Sequence, residues 1–188
     1  MPSPLDRFVG NSAEDVDLDA RENEASENLG ALVSPEPYGI DDCDVTDVVE
    51  VNEGPDGEPV VVPVARFSLG SEKESPDLDV VWDLAYDAVR AMYPAFEDVF
   101  VRHYDVQFAF GGGGLFDSES CRRMTVTREI ADRVVTEAGW HVRDFEDTML
   151  DGHDIDDEVA PVAWGVCKDY DQGPYSGGGA GAAGAGGF

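Results

Sequence analysis

Three arginines lie close together in a chain that is otherwise acidic. Arg122, Arg123 and Arg128 fall within residues 121–143, where five Arg stand against three acids, although the whole chain carries a formal net charge of −29. They flank a predicted helix start, where free backbone N–H groups and the helix dipole favour an anion. We therefore expect them to bind an acidic protein partner or an anionic ligand. The alternative is that they pair with the protein's own carboxylates.

Two histidines and an aspartate are the residues best suited to acid–base chemistry. His103 and Asp105 lie two residues apart in one predicted strand and so project to one face, and His141 lies in a later predicted strand. If the three meet, the protein is a small hydrolase-type or metal-dependent enzyme. No catalytic motif supplies a nucleophile or an orienting partner, so binding is the preferred interpretation over catalysis. No cofactor motif is present, and we expect no cofactor.

Residues 147–158 partly match the calcium-loop template. The candidate ligands are Asp147, Asp151, His153 and Glu158. The match is incomplete because Met149 stands where the template requires Asp or Asn, and partial matches arise by chance in a chain with 41 acids. We keep a divalent metal here as an alternative and expect none.

Four consecutive glycines, residues 111–114, follow a predicted strand, as phosphate-binding loops do. The run lacks the Lys-Ser/Thr ending of such loops and does not lead directly into a predicted helix. A flexible hairpin loop is therefore preferred over a phosphate site.

Hydrophobic periodicity places strands and helices around these residues. Strands are predicted at residues 44–51, 59–69, 99–110, 122–126 and 140–145, with a further short strand or lid near 159–166. Helices are predicted from Ser75-Pro76-Asp77 to Pro94 and over residues 128–138. The order β-β-α-β-β-α-β predicts an α+β fold, a ferredoxin-like antiparallel or mixed sheet with two helices on one face.

The ends of the chain have a different composition from its middle. Residues 1–36 carry nine acids and two Arg with few apolar side chains, which predicts a disordered acidic arm. A helix over residues 13–29 is the alternative for part of that arm. Residues 37–172 form the predicted single α+β domain. Residues 173–188 form a Gly/Ala-rich tail, which we expect to be disordered because glycine loses the most entropy on ordering.

The charge indicates the working environment before it indicates a partner. With 41 Asp and Glu against 12 Lys and Arg, the composition is typical of halophilic proteins, in which molar salt screens the self-repulsion. An acidic surface argues against nucleic-acid binding, although aromatics such as Phe100, Tyr104 and Phe108 could stack on bases if they faced outward. No apolar run is long enough for a membrane span, so we expect a soluble, cytoplasmic protein.

The three cysteines, Cys43, Cys121 and Cys167, are far apart in the sequence and form no CxxC pair. We therefore expect reduced thiols rather than a disulfide or a zinc site. Taken together, the sequence predicts a protein-interaction or regulatory binding module that uses the three arginines.

Overall fold

The structure is a computed structural model that describes residues 16–114, 119–152, 161–165 and 167. It is a mixed α+β fold. In chain order the elements are α1 (Leu18–Leu32), α2 (Pro35–Tyr38), β1 (Asp42–Glu53), β2 (Pro59–Ser68), α3 (Leu78–Ala95), β3 (Phe100–Val101), β4 (His103–Phe110), β5 (Ser120–Thr127), α4 (Arg128–Thr136), α5 (Val142–Leu150) and β6 (Val162–Gly165).

One mixed sheet runs through the described part of the chain, in the strand order β1-β2-β4-β5-β6. β2 and β4 are parallel neighbours, and the short strand β3 also pairs with β2 in parallel. The other three pairings, β1 with β2, β4 with β5 and β5 with β6, are antiparallel. Since α3 connects β2 to β4, these three elements form a βαβ unit at the centre of the fold.

β4 is buried along its whole length. Tyr104, Val106 and Phe108 join one hydrophobic cluster that also contains residues of α1, α3, α4 and α5. His103, Asp105 and Gln107 alternate with them and therefore project to the opposite face of the sheet. This alternation decides on which side of the sheet each candidate residue lies.

α3 is the central helix, and its apolar face packs on the sheet and on the other helices. Nine of its residues are buried, at the helical spacing that the sequence predicts. Within the predicted start, Asp77 rather than Ser75 caps the helix: its side chain accepts a hydrogen bond from the backbone N–H of Asp79 at 3.1 Å. Pro94 lies inside the last turn, and the helix ends at Ala95.

The strand predicted at residues 140–145 is wrong, because this part of the chain begins helix α5. His141 caps the helix, and the Asp144 carboxylate accepts from the His141 backbone N–H at 2.9 Å. Phe145 and Met149 are one helical turn apart and both are fully buried. The strand predicted near residues 159–166 is confirmed as β6.

The predicted disordered arm is also wrong for the part of it that the structure describes. α1 is a capped helix: the Asp17 side chain accepts from the Ala20 backbone N–H at 3.1 Å. Ala25, Leu29 and Val33 are buried in the common core. Two of these three residues, Ala25 and Leu29, belong to α1, and Val33 caps its C-terminus. Residues 1–15 of the predicted arm and the predicted tail at 173–188 lie outside the described residues.

The ferredoxin-like arrangement is not confirmed. That arrangement requires a split βαβ unit, with another strand between the two parallel strands. Here β2 lies directly beside β4, with Phe67 opposite Phe108. The two rings stack at 5.1 Å between centroids. The periodicity identified most of the strands correctly, but it contains no information about which strands become neighbours.

Two of the three cysteines form a disulfide, Cys121–Cys167, which corrects the prediction of reduced thiols. Cys121 lies in β5 and is 1% exposed, and its partner follows β6. Cys43 is free. The bond therefore links β5 covalently to the segment that forms its neighbouring strand. Within the described residues, no helix combines the length and the apolar character needed to cross a bilayer.

The packing of α1 makes a prediction about stability. Replacing Leu29, which is fully buried, by Ala (Leu29→Ala) should lower the free energy of unfolding by about 2–5 kcal/mol, because the substitution leaves a cavity. Urea unfolding followed by circular dichroism measures the change.

The matched control is Leu32→Ala in the same helix. Leu32 is 44% exposed, so its replacement should change the free energy of unfolding by no more than about 0.5 kcal/mol. Equal, small effects for the two variants would mean that α1 is not part of the folded core.

Candidate functional site

The structure separates the three predicted arginines instead of collecting them in one patch. Arg122 and Arg123 are consecutive in β5, so they project to opposite faces of the sheet. Arg122 lies opposite Phe108, on the face that packs against the helices, and Arg123 lies opposite Gln107 on the other face. Arg128 is the first residue of α4. The three therefore have three different environments.

Arg123 belongs to a buried ion pair with Asp105. Its Nε lies 2.8 Å from both carboxylate oxygens, and its guanidinium also donates to Oδ2 at 2.8 Å. Asp105 is fully buried, and the Gln107 side chain donates to the same carboxylate at 3.3 Å. A buried carboxylate needs such partners because it has lost its hydration. This arrangement gives Arg123 a structural role within the fold.

Arg122 is buried between the sheet and α3. It is 6% exposed, and its guanidinium carbon lies 5.6 Å from the centre of the Trp82 ring. Burial lowers the pKa of the guanidinium below its usual range, and the Glu146 carboxylate partly offsets this effect. A side chain placed so deeply is not part of an open contact surface.

Arg128 holds the start of α4 against the end of α3. It donates to the carbonyl oxygens of Phe96 at 2.9 Å and Glu97 at 3.2 Å, at the C-terminal end of α3. Its Nε donates to Asp132 at 3.0 Å, and its guanidinium carbon lies 4.5 Å from the centre of the Tyr93 ring. A cation at this end of a helix is favoured by the helix dipole. Arg128 nevertheless reaches the surface, where it borders a groove.

The two tyrosines near Arg128 remain neutral. The Tyr93 hydroxyl donates to Asp132 Oδ1 at 2.8 Å, and burial together with this hydrogen bond raises the pKa of Tyr93. Tyr104 is fully buried, and burial raises the pKa of its hydroxyl well above the usual range, although Arg128 lowers it in part. This cluster therefore offers no phenolate as a base or nucleophile.

The structure does not bring His103, Asp105 and His141 together. His103 and Asp105 share the sheet face opposite the helices and are 5% and 0% exposed. His141 caps α5 in the helical layer, beside Trp140, which packs edge-on against Phe145 at 6.3 Å between centroids. The sheet therefore lies between the two histidines. The geometry needed for the predicted acid–base site is absent from the described residues.

The predicted calcium loop is only half described. Asp147 lies inside α5, and its carbonyl oxygen accepts from the backbone N–H of Asp151 at 3.0 Å, a helical hydrogen bond. His153 and Glu158 lie outside the described residues. No group of three or more potential metal ligands is found in the described part of the chain. The metal site stays a prediction.

A groove of about 330 Å³ lies beside β3 and is called the Phe100 groove below. It is lined by Glu97, Asp98, Val99, Phe100, Val101 and Arg128. Phe100 is 61% exposed, more than any other large apolar side chain of the described residues, whereas Val99 and Val101 are each 8% exposed. The Phe100 ring therefore forms the main accessible apolar surface of the groove, with Glu97 and Asp98 beside it.

A second, larger opening of about 670 Å³ lies at the other end of β4 and is called the glycine cleft below. Its lining consists of residues 71–74, residues 110–114 and Ser120. The predicted glycine run therefore lines a cleft, although it leads on to a strand rather than to a helix. Glu72 and Glu74 lie in the same lining, which argues against the phosphate site considered from the sequence.

Sequence reasoning missed the Phe100 groove for an identifiable reason. Phe100 continues the apolar alternation of the strand predicted over residues 99–110, and such a residue is usually assigned to the core. The strand is interrupted at Arg102, which leaves β3 only two residues long. Arg102, a charged residue inside an apolar alternation, is the feature of the sequence that indicates this interruption.

Comparisons with protein-family models, with curated proteins and with solved structures find no match to the chain.

The Asp105–Arg123 pair makes a prediction about stability. Asp105→Asn should lower the free energy of unfolding by about 3–5 kcal/mol, because it removes the negative charge that the mostly buried Arg123 contacts at 2.8 Å. Replacing both residues by apolar ones, Asp105→Leu with Arg123→Met, should recover most of that loss. Chemical unfolding of the three proteins measures both effects.

The control is the exposed pair formed by Arg133 and Glu137, whose side chains are 42% and 51% exposed. Glu137→Gln should change the free energy of unfolding by no more than about 0.5 kcal/mol. If Asp105→Asn were as mild as this control, the buried pair would not be a structural requirement.

Proposed function

We propose that the protein is a protein-interaction module that docks a short segment of a partner in the Phe100 groove. The observation that carries the proposal is the exposure of Phe100 beside the buried Val99 and Val101. Covering an aromatic side chain that is exposed to this extent gives a large favourable free energy of burial, and aromatic residues often dominate binding energy at interfaces.

The charges around the groove indicate a basic rather than an acidic partner. Glu97 and Asp98 line it, and Glu97 forms no ion pair with another described residue. Asp98 pairs with Arg21 at 2.8 Å but keeps 67% of its side chain exposed. The positive charge of Arg128 is already balanced by Asp132 and by the carbonyl oxygens at the end of α3. A segment with apolar and basic side chains complements this surface.

Of the three predicted arginines, Arg128 is the one assigned to the contact, and its role there differs from the predicted one. Arg122 and Arg123 lie on opposite faces of the sheet and are mostly buried, so neither is assigned to the contact. Arg128 forms a wall of the groove and fixes the end of α3, which positions Glu97 and Asp98. The enzyme alternative is not proposed, because its histidines lie on opposite sides of the sheet.

Selection from a library of random short peptides tests the proposal. We expect enrichment of sequences that combine Lys or Arg with large apolar residues. The affinity of a selected peptide should fall at least about tenfold for Phe100→Ser, since the exposed ring supplies the main apolar contact. Fluorescence anisotropy with a labelled peptide measures the change.

The matched control is Val135→Ser in α4. Val135 is 42% exposed and does not line the groove, so this variant should bind the selected peptide with unchanged affinity. Enrichment of acidic peptides, or equal losses for the two variants, contradicts the proposal. Glu97→Gln should weaken binding of the selected peptide, and the loss of affinity should be larger at low salt, because the substitution removes an electrostatic attraction that salt screens.

We also propose that the protein works in molar salt. A net charge of −29 on 188 residues produces strong self-repulsion in the folded state. The 12 Lys and Arg side chains of the chain are far too few to balance its 41 acids. Most carboxylates therefore depend on dissolved cations for screening.

Thermal unfolding in KCl tests this second proposal. The midpoint should rise between about 0.1 M and about 1 M KCl, because the screening length shortens from about 10 Å to about 3 Å. A variant with Glu24→Gln and Glu129→Gln, two exposed positions, should show a smaller rise. A midpoint that does not depend on KCl contradicts the proposal.

A further inference from the structure

The glycine cleft occupies the position at which βαβ units bind ligands. β2 and β4 are parallel, so their carboxyl ends meet at one edge of the sheet, and the loops that follow them line the cleft. In open α/β sheets, ligands bind outside this edge where a topological switch point opens a crevice; here the loops after β2 and β4 form the cleft instead. The cleft volume of about 670 Å³ lies within the range of small-molecule sites.

Glycine allows the two loops to approach each other closely. A Cβ atom at Gly113 would lie 2.9 Å from the carbonyl oxygen of Ser71 and 3.3 Å from Glu72 Oε1. Gly112 has a φ of +81°, and a Cβ atom there would lie 3.1 Å from the backbone nitrogen of Glu119. Gly113 therefore brings the second loop next to backbone and carboxylate oxygens of the first, and Gly112 lets the second loop turn closely back on Glu119.

The lining of the cleft carries charges of both signs. Glu72 and Glu74 supply carboxylates, and Lys73 lies between them in the sequence. The Lys73 ammonium donates to the carbonyl oxygen of Gly39 at 3.0 Å, which fixes its direction and leaves two of its three N–H groups for a ligand. Ser71 and Ser120 add hydroxyl groups that both donate and accept.

We propose that the glycine cleft binds a small zwitterion of the amino-acid type. The ligand's ammonium group donates to Glu72 and Glu74 and to the carbonyl oxygen of Ser71. Its carboxylate accepts from Lys73 and from a serine hydroxyl. No bond is formed or broken in the ligand. A ligand carrying only a negative charge meets two carboxylates here, and one carrying only a positive charge makes no use of the two remaining N–H groups of Lys73.

A zwitterion also suits the rest of the molecule. Its net charge is zero, so the overall charge of −29 neither repels it from the cleft nor attracts it to other acidic surfaces. Its charge pairs act over a few ångströms, a distance at which molar salt screens them less than it screens long-range attraction. Binding at this site is therefore expected to persist in molar KCl.

Isothermal titration calorimetry of the full chain in molar KCl, with each of the common amino acids as the probe, tests the proposal. For the tightest-binding amino acid, two truncated compounds follow: the amine that lacks the carboxylate and the acid that lacks the ammonium group. Each should bind at least about tenfold more weakly than the amino acid. Failure of every amino acid to bind, or equal binding by the amine, overturns the proposal.

Three variants locate the site. Lys73→Met should weaken binding of the amino acid and leave binding of the amine unchanged, whereas Glu74→Gln should weaken both. Gly113→Ala should weaken binding by separating the two loops. Glu129→Gln, an exposed carboxylate of α4, is the matched control and should bind normally. Circular dichroism confirms folding of each variant, and normal amino-acid binding by the folded Lys73→Met and Glu74→Gln variants contradicts the assignment of the site.

Discussion

The complete burial of β4 is the constraint on which the other elements depend. A strand buried on both faces must have both surfaces covered, and a charge buried on it must have a partner. On one face this is achieved by the helices, which pack against Tyr104, Val106 and Phe108. On the other face Asp105 is buried, and Arg123 of β5 compensates its charge. The register of β4 with β5 is therefore specified by charge as well as by hydrophobic packing.

The same strand sets the relation between the two surfaces for which a binding role is proposed. The Phe100 groove lies at the amino end of β4, beside β3, and the glycine cleft lies at its carboxyl end. A strand of eight residues spans roughly 26 Å, so the two surfaces are well separated. They also differ in chemistry, since one is an apolar groove with an acidic rim and the other is polar. Two different kinds of ligand are consistent with this division.

The sequence allowed a correct prediction of the elements whose burial follows one clear period. β2, β4, β5, α3 and α4 were all found near their observed positions. The alternation of apolar and polar residues over Trp140, His141, Val142 and Arg143 predicts a strand where α5 begins, whereas the helical spacing of Phe145 and Met149 is evident only over a longer window. The helix α1 is predicted only as an alternative to the disordered arm, because just two of its residues, Ala25 and Leu29, are buried. Hydrophobic periodicity does not predict the strand order, because the order depends on pairing between segments that are distant in the sequence.

The separation of Arg122 from Arg123 follows from the sequence itself. Arg122 and Arg123 are adjacent in a predicted strand, and adjacent strand residues point to opposite faces, so they could not form one patch. The Cys121–Cys167 pairing could not be deduced, because three cysteines leave the choice of pair to the fold. The glycine run is evident in the sequence, but the cleft depends on the parallel pairing of β2 with β4. Hydrophobic periodicity does not predict which strands pair.

The disulfide changes the connectivity of the molecule as well as its stability. It closes a covalent ring over the 46-residue separation between Cys121 and Cys167, and α4 and α5 lie inside that ring. A tension applied to the chain beyond Cys167 passes directly to β5 through the sulfur atoms and bypasses both helices. A single break in the backbone inside the ring leaves β6 attached. Helices α4 and α5 are thus mechanically shielded from a force applied to the chain beyond Cys167.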